Sequence, residues 1–568
     1  MPYPTLRDFV TALDSAGELH RIKAPVSPML EITEITDRVS KSPAPSTSPV
    51  AAVTDPKHHQ LGGKALLFEN VTDSDIPLSI NTLGSYRRME MALGCEQGGF
   101  EGLAERIEAL LKPEPPVGIM EKMRKGLELA KVASFAPKVV RSGLCQQVVH
   151  EGDAVDLFKL PIIKCWPHDG DPRQFGYPID LQQPGQGRYI TFGGIYTIHP
   201  DDAGKPEGTP RTSRNIGMYR AQLLDKSHTA MHWHMHHDGA RHWRAWKKSG
   251  ASGGMPCAIA LGGESVLPYA ATAPLPPGIS ELLMAGFLNQ KAIELVKCRT
   301  VDLHVPANAE IIIEGYVSTE AGFIGYDPRK TRNADRGTPS DPDSSEFQLP
   351  SSDLHGAAFE GPFGDHTGFY SLPDRYPIFT VTAITHRRDP IYPTTIVGLP
   401  PQEDYYMGKA TERIFLPLLR TLVPDILDYD LPMFGAFHNC AFIKIRKEYP
   451  LQARRVMHAI WGAGQMAWTK MIVVVDEDVN VHDHEDVLFH LCANCDPGRD
   501  VEIVNGPLDI LDHAAPRLGA GHKIGFDATA KIQGEECNGH PVRDWPTRLE
   551  MSAEVKTEVD RRWKEFGI

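Results

Sequence analysis

Tyr189–Ile198 reads YITFGGIYTI, a run of β-branched and aromatic residues broken by a Gly-Gly pair. Such residues pack well on a pleated surface and lose side-chain freedom in a helix, so the run predicts strand. Cys257–Leu261 (CAIAL), Glu310–Tyr316 (EIIIEGY) and Ile378–Ile384 (IFTVTAI) repeat the pattern. All are short, bounded by Gly or Pro and separated by loops, which predicts a β-rich, barrel-like middle domain.

The flanks read differently. The first ~140 residues mix helix and strand: residues 1–22 (MPYPTLRDFVTALDSAGELHRI) look like a short amphipathic helix, Lys41–Pro56 is a Ser/Pro/Ala-rich loop, and Gly102–Leu111 looks helical. Beyond about Glu403, Gly408–Leu422 and Leu451–Ala467 look helical, Met471–Val475 is a buried strand, and Glu485–Leu491 starts another helix. This alternation predicts an α/β unit. The expected division is 1–143, 144–395 and 396–568, in keeping with roughly 150 residues per domain. Tyr326–Asp353, rich in Asp, Ser, Arg and Pro, reads as a polar surface insert.

The 568 residues are 41% hydrophobic and 23% charged, an ordinary globular balance. A net charge of −14 with no basic stripe argues against a nucleic-acid partner, because phosphate contacts need clustered Lys and Arg. No stretch has the ~20 consecutive apolar residues of a membrane span. The N-terminal segment lacks the basic-then-apolar run of a signal peptide, so a cytoplasmic location is expected. The nine scattered cysteines fit reduced thiols. Cys492 and Cys495 have CxxC spacing, but a zinc knuckle needs further ligands beyond the nearby His490.

Three segments could carry chemistry. Between His228 and His242 lie six of the 24 histidines. Such a crowd is either a metal site or a polar segment, and alternation would put His232, His234 and His236 on one strand face. EGPFGDHTGFY (Glu360–Tyr370) flanks a Gly-Pro-Phe-Gly turn with Glu360 and Asp365. Two nearby acids can have separated pKa values, as proton transfer demands, or can simply decorate a solvated turn. RNIGMYR (Arg214–Arg220) offers an Asn oxygen to a cation and an Arg fork to a carboxylate, or is an ordinary strand end.

Together these segments resemble the UbiD family of prenylated-FMN-dependent reversible decarboxylases. The resemblance runs from about Thr191 to Ala530, through YITFGG, NIGMYR, the histidine segment, APLPPGISE, ELVKC, IIIEGY, EGPFGDHTGFY, GKATERIFLPLL, RRVMHAIWGAGQ, VVVDEDVNVHD and GFDATAK. It looks closest to the quinone-biosynthesis members, which decarboxylate 4-hydroxy-3-polyprenylbenzoate or a menaquinone precursor. The resemblance implies an α/β (α+β) protein with an N-terminal α/β region, a central split β-barrel flavin domain and a C-terminal α/β oligomerisation domain.

It also implies a site. Asn215, His236 and Glu281 would hold Mn2+ (or Mg2+) bridging to the cofactor phosphate, with K+ or Na+ nearby. His232, His234 and His237 would then be pocket or surface groups. Thr191, Gly217, Thr272, Ala273, Pro274 and Ile279 would contact prenylated FMN, with Asn215, Arg220, His236 and Glu281 beside them. Gln465 stands where some relatives have a phosphate-binding lysine. Arg220, Glu360 and Asp365 match the catalytic set. Arg220 would grip the substrate carboxylate and Glu360, while the flavin forms a covalent adduct and takes up the electron pair that no side chain can absorb. Glu360 would return the proton, its affinity raised by the like charge of Asp365 and lowered by the arginine.

The implied substrate is a hydroxylated aromatic acid of ubiquinone or menaquinone synthesis, a lipid-like molecule at the membrane surface. Another phenolic or heteroaromatic acid of catabolism is the alternative. The implied partners are a flavin prenyltransferase for cofactor supply and further copies of the chain, as a dimer or hexamer. From another class, a metal-dependent hydrolase could use the His228–His242 cluster, but it needs three protein ligands and an open position, and no HExxH pattern occurs.

Overall fold

The computed structural model describes residues 2–111, 130–175, 185, 187–206, 208–234, 237–275, 279–320, 356–537 and 539–567. The insert at 326–353 and the expected ligand His236 lie outside them.

The N-terminal helix covers Leu6–Ser15, and Thr5 caps it by accepting from the Asp8 N–H at 3.1 Å. Leu6, Phe9, Val10 and Leu13 form its buried stripe. The expected helix stops there, and Leu19–Ile22 is a strand. That strand opens a four-stranded sheet with Ala65–Phe68, Leu78–Ile80 and Tyr392–Pro393. The last member arrives from the far end of the middle region and pins the N-terminal sheet to it. Within the expected loop at 41–56, Ala51–Thr54 is a short helix.

Among the described residues, the central sheet has ten strands. Its path runs Tyr189–Ile190, Ala221–Leu223, His228–Met231, Asp374–His386, Ile311–Val317, Met255–Leu261, Gly194–Thr197 and Asn215–Met218. Val148–Glu151 and Ala357–Glu360 pair on the long strand Asp374–His386. The two ends of this path are chain neighbours. Tyr189–Ile190 is three residues from Gly194–Thr197, and Asn215–Met218 is two residues from Ala221–Leu223. Links that short force the sheet to curl back on itself, leaving a seam crossed by Thr191–Gly193 and by Tyr219 and Arg220. Met255–Leu261 is buried at all seven positions, as a strand covered on both faces must be.

The C-terminal sheet orders Ile426–Asp430, Cys440–Ile445, Met471–Val475, Ala520–Asp527 and Val501–Pro507. Helices Gln452–Ile460 and His484–Asn494 lie in the crossovers between its parallel strands. Period-two alternation sorts the faces: Ala441, Ile443, Ile472 and Val474 join one core with Val456 and Met457, while Phe442, Val473 and Val475 join another with Val487. Helix Glu403–Leu422 begins earlier than expected, and the Leu451–Ala467 segment breaks after Ile460 into a 3-10 turn at Gly464–Trp468.

Candidate active site

Arg220 sits at the seam, nine-tenths buried, and its planar fork joins the two acids of the EGPFGD turn. Nε donates to Glu360 Oε1 at 2.6 Å, Nη2 to Glu360 Oε2 at 3.3 Å, and Nη1 to Asp365 Oδ2 at 2.8 Å. Nη2 also donates to Ser371 Oγ at 3.2 Å, and the guanidinium lies 4.4 Å above the Phe363 ring. Residues 140 positions apart in the chain thus form one charged unit, because the strand Ala357–Glu360 ends where the seam-crossing Tyr219–Arg220 link passes.

The turn after Glu360 is fixed from beneath. Gly361 has a φ of +91°, which a side chain would oppose. A Cβ on Gly364 would stand 2.1 Å from the Trp166 ring, so only glycine allows the approach. Asp169, fully buried, accepts from the N–H groups of Gly364 and Trp166, each at 2.8 Å. Burial pushes its carboxyl up to about 7 despite those donors. The Gly361 N–H donates to Gln222 Oε1 at 2.8 Å, and the same oxygen accepts from the Tyr189 hydroxyl at 3.0 Å.

The electrostatics decide between the two opposed influences the sequence left open. Burial alone would raise Glu360, but the Arg220 charge and the His232 contact outweigh it and hold its carboxyl at about 2. Asp365 is likewise driven well below the usual range, against burial, by its hydrogen bond to His366 and the charge of Arg220. The guanidinium between the two acids overrides the mutual repulsion expected to raise Glu360.

The strand of the histidine segment is His228–Met231, and His232–His234 after it are not strand. His232 and His234 therefore do not line a strand face; they turn together, with their Nε2 atoms 3.0 Å apart. His232 Nδ1 lies 2.9 Å from Glu360 Oε2, and its ring packs 4.3 Å from Tyr376. Burial lowers the His232 pKa. His237 stacks on His234, and His242 contacts Thr197 Oγ1 at 2.9 Å. Among the described residues, the group with metal-ligand spacing is elsewhere: Glu412, Asp430 and His482 in the C-terminal part. There the Lys409 ammonium already supplies the cation, 2.7 Å from Glu412 and 2.6 Å from Asp430. Cys492 is exposed at the end of helix His484–Asn494, and Cys495 follows it; both are free thiols.

At the other end of the seam-crossing segment, Asn215 opens its strand and Glu281 opens helix Glu281–Asn289. The Ile216 N–H donates to Glu281 Oε2 at 3.2 Å, which joins the two elements. The Asn215 amide nitrogen is buried without a partner, and burial pushes the Glu281 carboxyl up to about 7. A buried carboxyl bonded to the residue after Asn215, with no salt bridge to it among the described residues, is a donor set that fits a hard divalent ion. From Asn215 to Arg220 the extended chain spans roughly 16 Å, with Gly217 between them. Thr191 Oγ1 is 3.0 Å from Thr394 Oγ1 and donates to the Thr395 carbonyl at 2.6 Å. Thr272, Ala273 and Pro274 follow the turn that receives the Met218 N–H at Ala271, and Ile279 is exposed.

Sequence reading missed Trp166, Asp169, Gln222, Ser371 and His438, and left His366 without a role. His366 stood inside the quoted turn; the others carry no local signal.

A seam-held arginine between two ionised carboxylates, with a cation-fitting pair at the far end, is the site of an enzyme that handles a carboxylate. Three family models match the chain: the N-terminal domain of 3-octaprenyl-4-hydroxybenzoate carboxy-lyase over residues 10–107, its Rift-related domain over 138–400, and its C-terminal domain over 405–528. An uncharacterized protein of Aquifex aeolicus is 44% identical over 566 residues, covering 100% of this chain and 99% of that protein. The vanillic acid decarboxylase of Sedimentibacter hydroxybenzoicus in closed form aligns with a TM-score of 0.72 at 22% identity, covering 100% of this chain and 99% of that one. The UbiD-class enzyme HmfF from Pelotomaculum thermopropionicum, in complex with FMN, aligns at 0.66 and 24% identity, covering 97% and 98%. The chain belongs to the UbiD family, and is a decarboxylase of the carboxy-lyase class.

Proposed function

We propose that the protein is a prenylated-FMN-dependent, reversible decarboxylase of a hydroxylated aromatic acid. The observation that carries this reading is the Arg220 fork shared between Glu360 and Asp365 at the seam. Bound there, the prenylated flavin supplies the electron sink for the pair left by departing CO2. Asn215 and Glu281, with His236, would hold Mn2+ or Mg2+ for the cofactor phosphate; the buried Asn215 side chain, with its carbonyl oxygen as a ligand, and the raised Glu281 carboxyl support this. Thr191, Gly217, Thr272, Ala273, Pro274 and Ile279 would contact the bound flavin, and K+ or Na+ would complete the site.

The remaining chemistry belongs to this chain. Arg220 orients the substrate carboxylate and keeps Glu360 and Asp365 ionised beside it. Phe363 and Tyr189, packed 4.7 Å apart, exclude water on that side and favour release of neutral CO2 from a desolvated carboxylate. One proton must then reach the vacated carbon.

For the substrate, the family description favours a 4-hydroxy-3-polyprenylbenzoate-type acid of quinone synthesis. The full-length fold match to a vanillic acid decarboxylase favours a small phenolic acid as the second reading. The enzyme works as a homo-oligomer and takes its cofactor from a flavin prenyltransferase. The test is purification after co-expression with that prenyltransferase, with mass spectrometry, absorbance and metal analysis, followed by a CO2-release screen. The screen includes short-chain 3-prenyl-4-hydroxybenzoates and vanillate. Bound prenylated FMN with stoichiometric metal and turnover of one of these acids is the expected result; metal without flavin would sink the reading.

A further inference from the structure

We propose that His58 and His484 read two free hydroxyl groups at the far end of the substrate, which makes the acid a dihydroxylated arene whose hydroxyls lie away from its carboxylate. The inference rests on the decarboxylase reading and deepens it by naming the substrate class.

Asp365 links the seam arginine to a cavity. Its Oδ2 accepts from Arg220 Nη1 at 2.8 Å, and its Oδ1 lies 2.9 Å from His366 Nδ1. His366 and Thr367 line a cavity of about 290 Å³. That volume is at the small end of ligand sites and suits an aromatic head group. Leu399, Met433 and Phe434 give it apolar walls, and Leu399 and Phe434 are 59% and 65% exposed, so it opens to solvent. An acid whose carboxylate is held by Arg220 would carry the far side of its ring into this space.

Two histidines from opposite ends of the chain share the lining. His58 follows the short helix Ala51–Thr54, and His484 opens the helix His484–Asn494. Each is held from behind by a buried aspartate. His58 Nδ1 lies 3.0 Å from Asp55 Oδ1, and His484 Nε2 lies 3.1 Å from Asp430 Oδ2. Both aspartates are acceptors. The Tyr86 and Tyr405 hydroxyls donate to Asp55 Oδ2 at 2.9 and 2.7 Å, and the Lys409 ammonium lies 2.6 Å from Asp430 Oδ1. Against burial, the His58 contact and the Lys409 charge hold Asp55 below the usual carboxyl range, and the Lys409 charge does the same for Asp430.

The hydrogens follow from these partners. The histidine nitrogen that faces a carboxylate carries the ring proton, so a neutral ring keeps a lone pair on the other. Those other nitrogens, Nε2 of His58 and Nδ1 of His484, have no hydrogen-bond partner among the described residues. A ring that fills the cavity displaces water from them, and an acceptor left unmet weakens binding. The two imidazoles stand 6.5 Å apart, centre to centre. One hydroxyl has a single proton and serves one of them; two hydroxyls on one arene serve both. A second carboxylate, a phosphate or a methyl ether brings acceptors only.

The experiment compares acids that differ only in their hydroxyls. Protocatechuate, vanillate and veratrate carry two, one and none; the dihydroxynaphthoate with both hydroxyls on the ring remote from its carboxylate is set beside its dimethyl ether. With the holoenzyme, kcat/KM in a series that is turned over should fall at least about tenfold for each hydroxyl methylated. His58→Phe and His484→Phe keep an aromatic ring without the acceptor, and each should shrink the overall methylation penalty at least about tenfold. Methyl ethers handled by the wild type within about threefold of the dihydroxy acids would overturn the proposal, and that comparison needs no variant to fold. Variants that keep the full wild-type penalty overturn it as well. Calorimetry tests the pair without turnover: the holoenzyme should bind catechol or naphthohydroquinone at least about tenfold more tightly than the matching methyl ethers, and no preference in either pair overturns the proposal. A wild type that binds the dihydroxyarenes in preference but decarboxylates no acid fails the decarboxylase reading alone. Turnover with no hydroxyl preference fails the histidine pair alone.

Discussion

Arg220→Lys separates the charge at the seam from its shape. The guanidinium makes three contacts with carboxylate oxygens, at 2.6, 3.3 and 2.8 Å, toward two acids at different edges of its plane. An ammonium keeps the positive charge but concentrates its donors at one point, so it can serve Glu360 or Asp365 but not both. Two charge-assisted bonds are then lost, each worth about 2 kcal/mol. That is about 4 kcal/mol of misdirected orientation, or about 10³-fold in kcat/KM at ~1.36 kcal/mol per decade. Initial rates of CO2 release from the holoenzyme, with flavin content measured by absorbance, test this. The cofactor should remain, because Asn215 and Glu281 are untouched. Arg220→Lys within roughly tenfold of the wild type would show that charge alone suffices and would refute the fork argument.

Glu360→Gln should keep bound flavin and lose at least about 10²-fold in turnover, read by absorbance and by product formation; near wild-type rates would remove Glu360 from the catalytic set. Glu281→Gln should co-purify with neither stoichiometric metal nor flavin, as metal analysis of the same preparation would show. Gly364→Ala drives a methyl into the Trp166 ring, 2.1 Å away, and the displaced turn should cost about 10²-fold in kcat while the protein still folds. Glu360 ionises near 2 in the fold against 4.5 ordinarily, so its depressed pKa stabilises the protein above about pH 4.5 and that contribution disappears as pH falls toward 2. The shift corresponds to about 3 kcal/mol, and Glu360→Gln should flatten this part of the acid-denaturation curve.

Much of the fold was legible along the chain. Unbroken apolar runs such as Met471–Val475 marked buried strands whose two faces enter separate cores, and the helix Gly99–Leu111 lay within three residues of its expected start. Boundaries failed where tertiary partners decide them. Leu19–Ile22 is strand because Ala65–Phe68 lies beside it in parallel, and no local pattern announces that pairing. The histidine alternation misled for a related reason: the strand ends at Met231, where the sheet reaches its seam.

For the site, the sequence by itself determined which chemical groups are available: the Arg, the two acids, the Asn and Glu that suit a hard cation, and the glycines that let a turn approach an indole. Short-range chemistry of that kind is written in residue type and spacing. Only the tertiary structure decided what each group faces. The curl of the sheet brings Arg220 between Glu360 and Asp365 and so ionises both, where spacing alone left the sign of their shifts open. Packing of the 433–439 loop against the catalytic turn gives His366 its partner from 72 residues away. Charge interactions depend on distance through space and on burial, and neither is fixed until the chain has closed on itself.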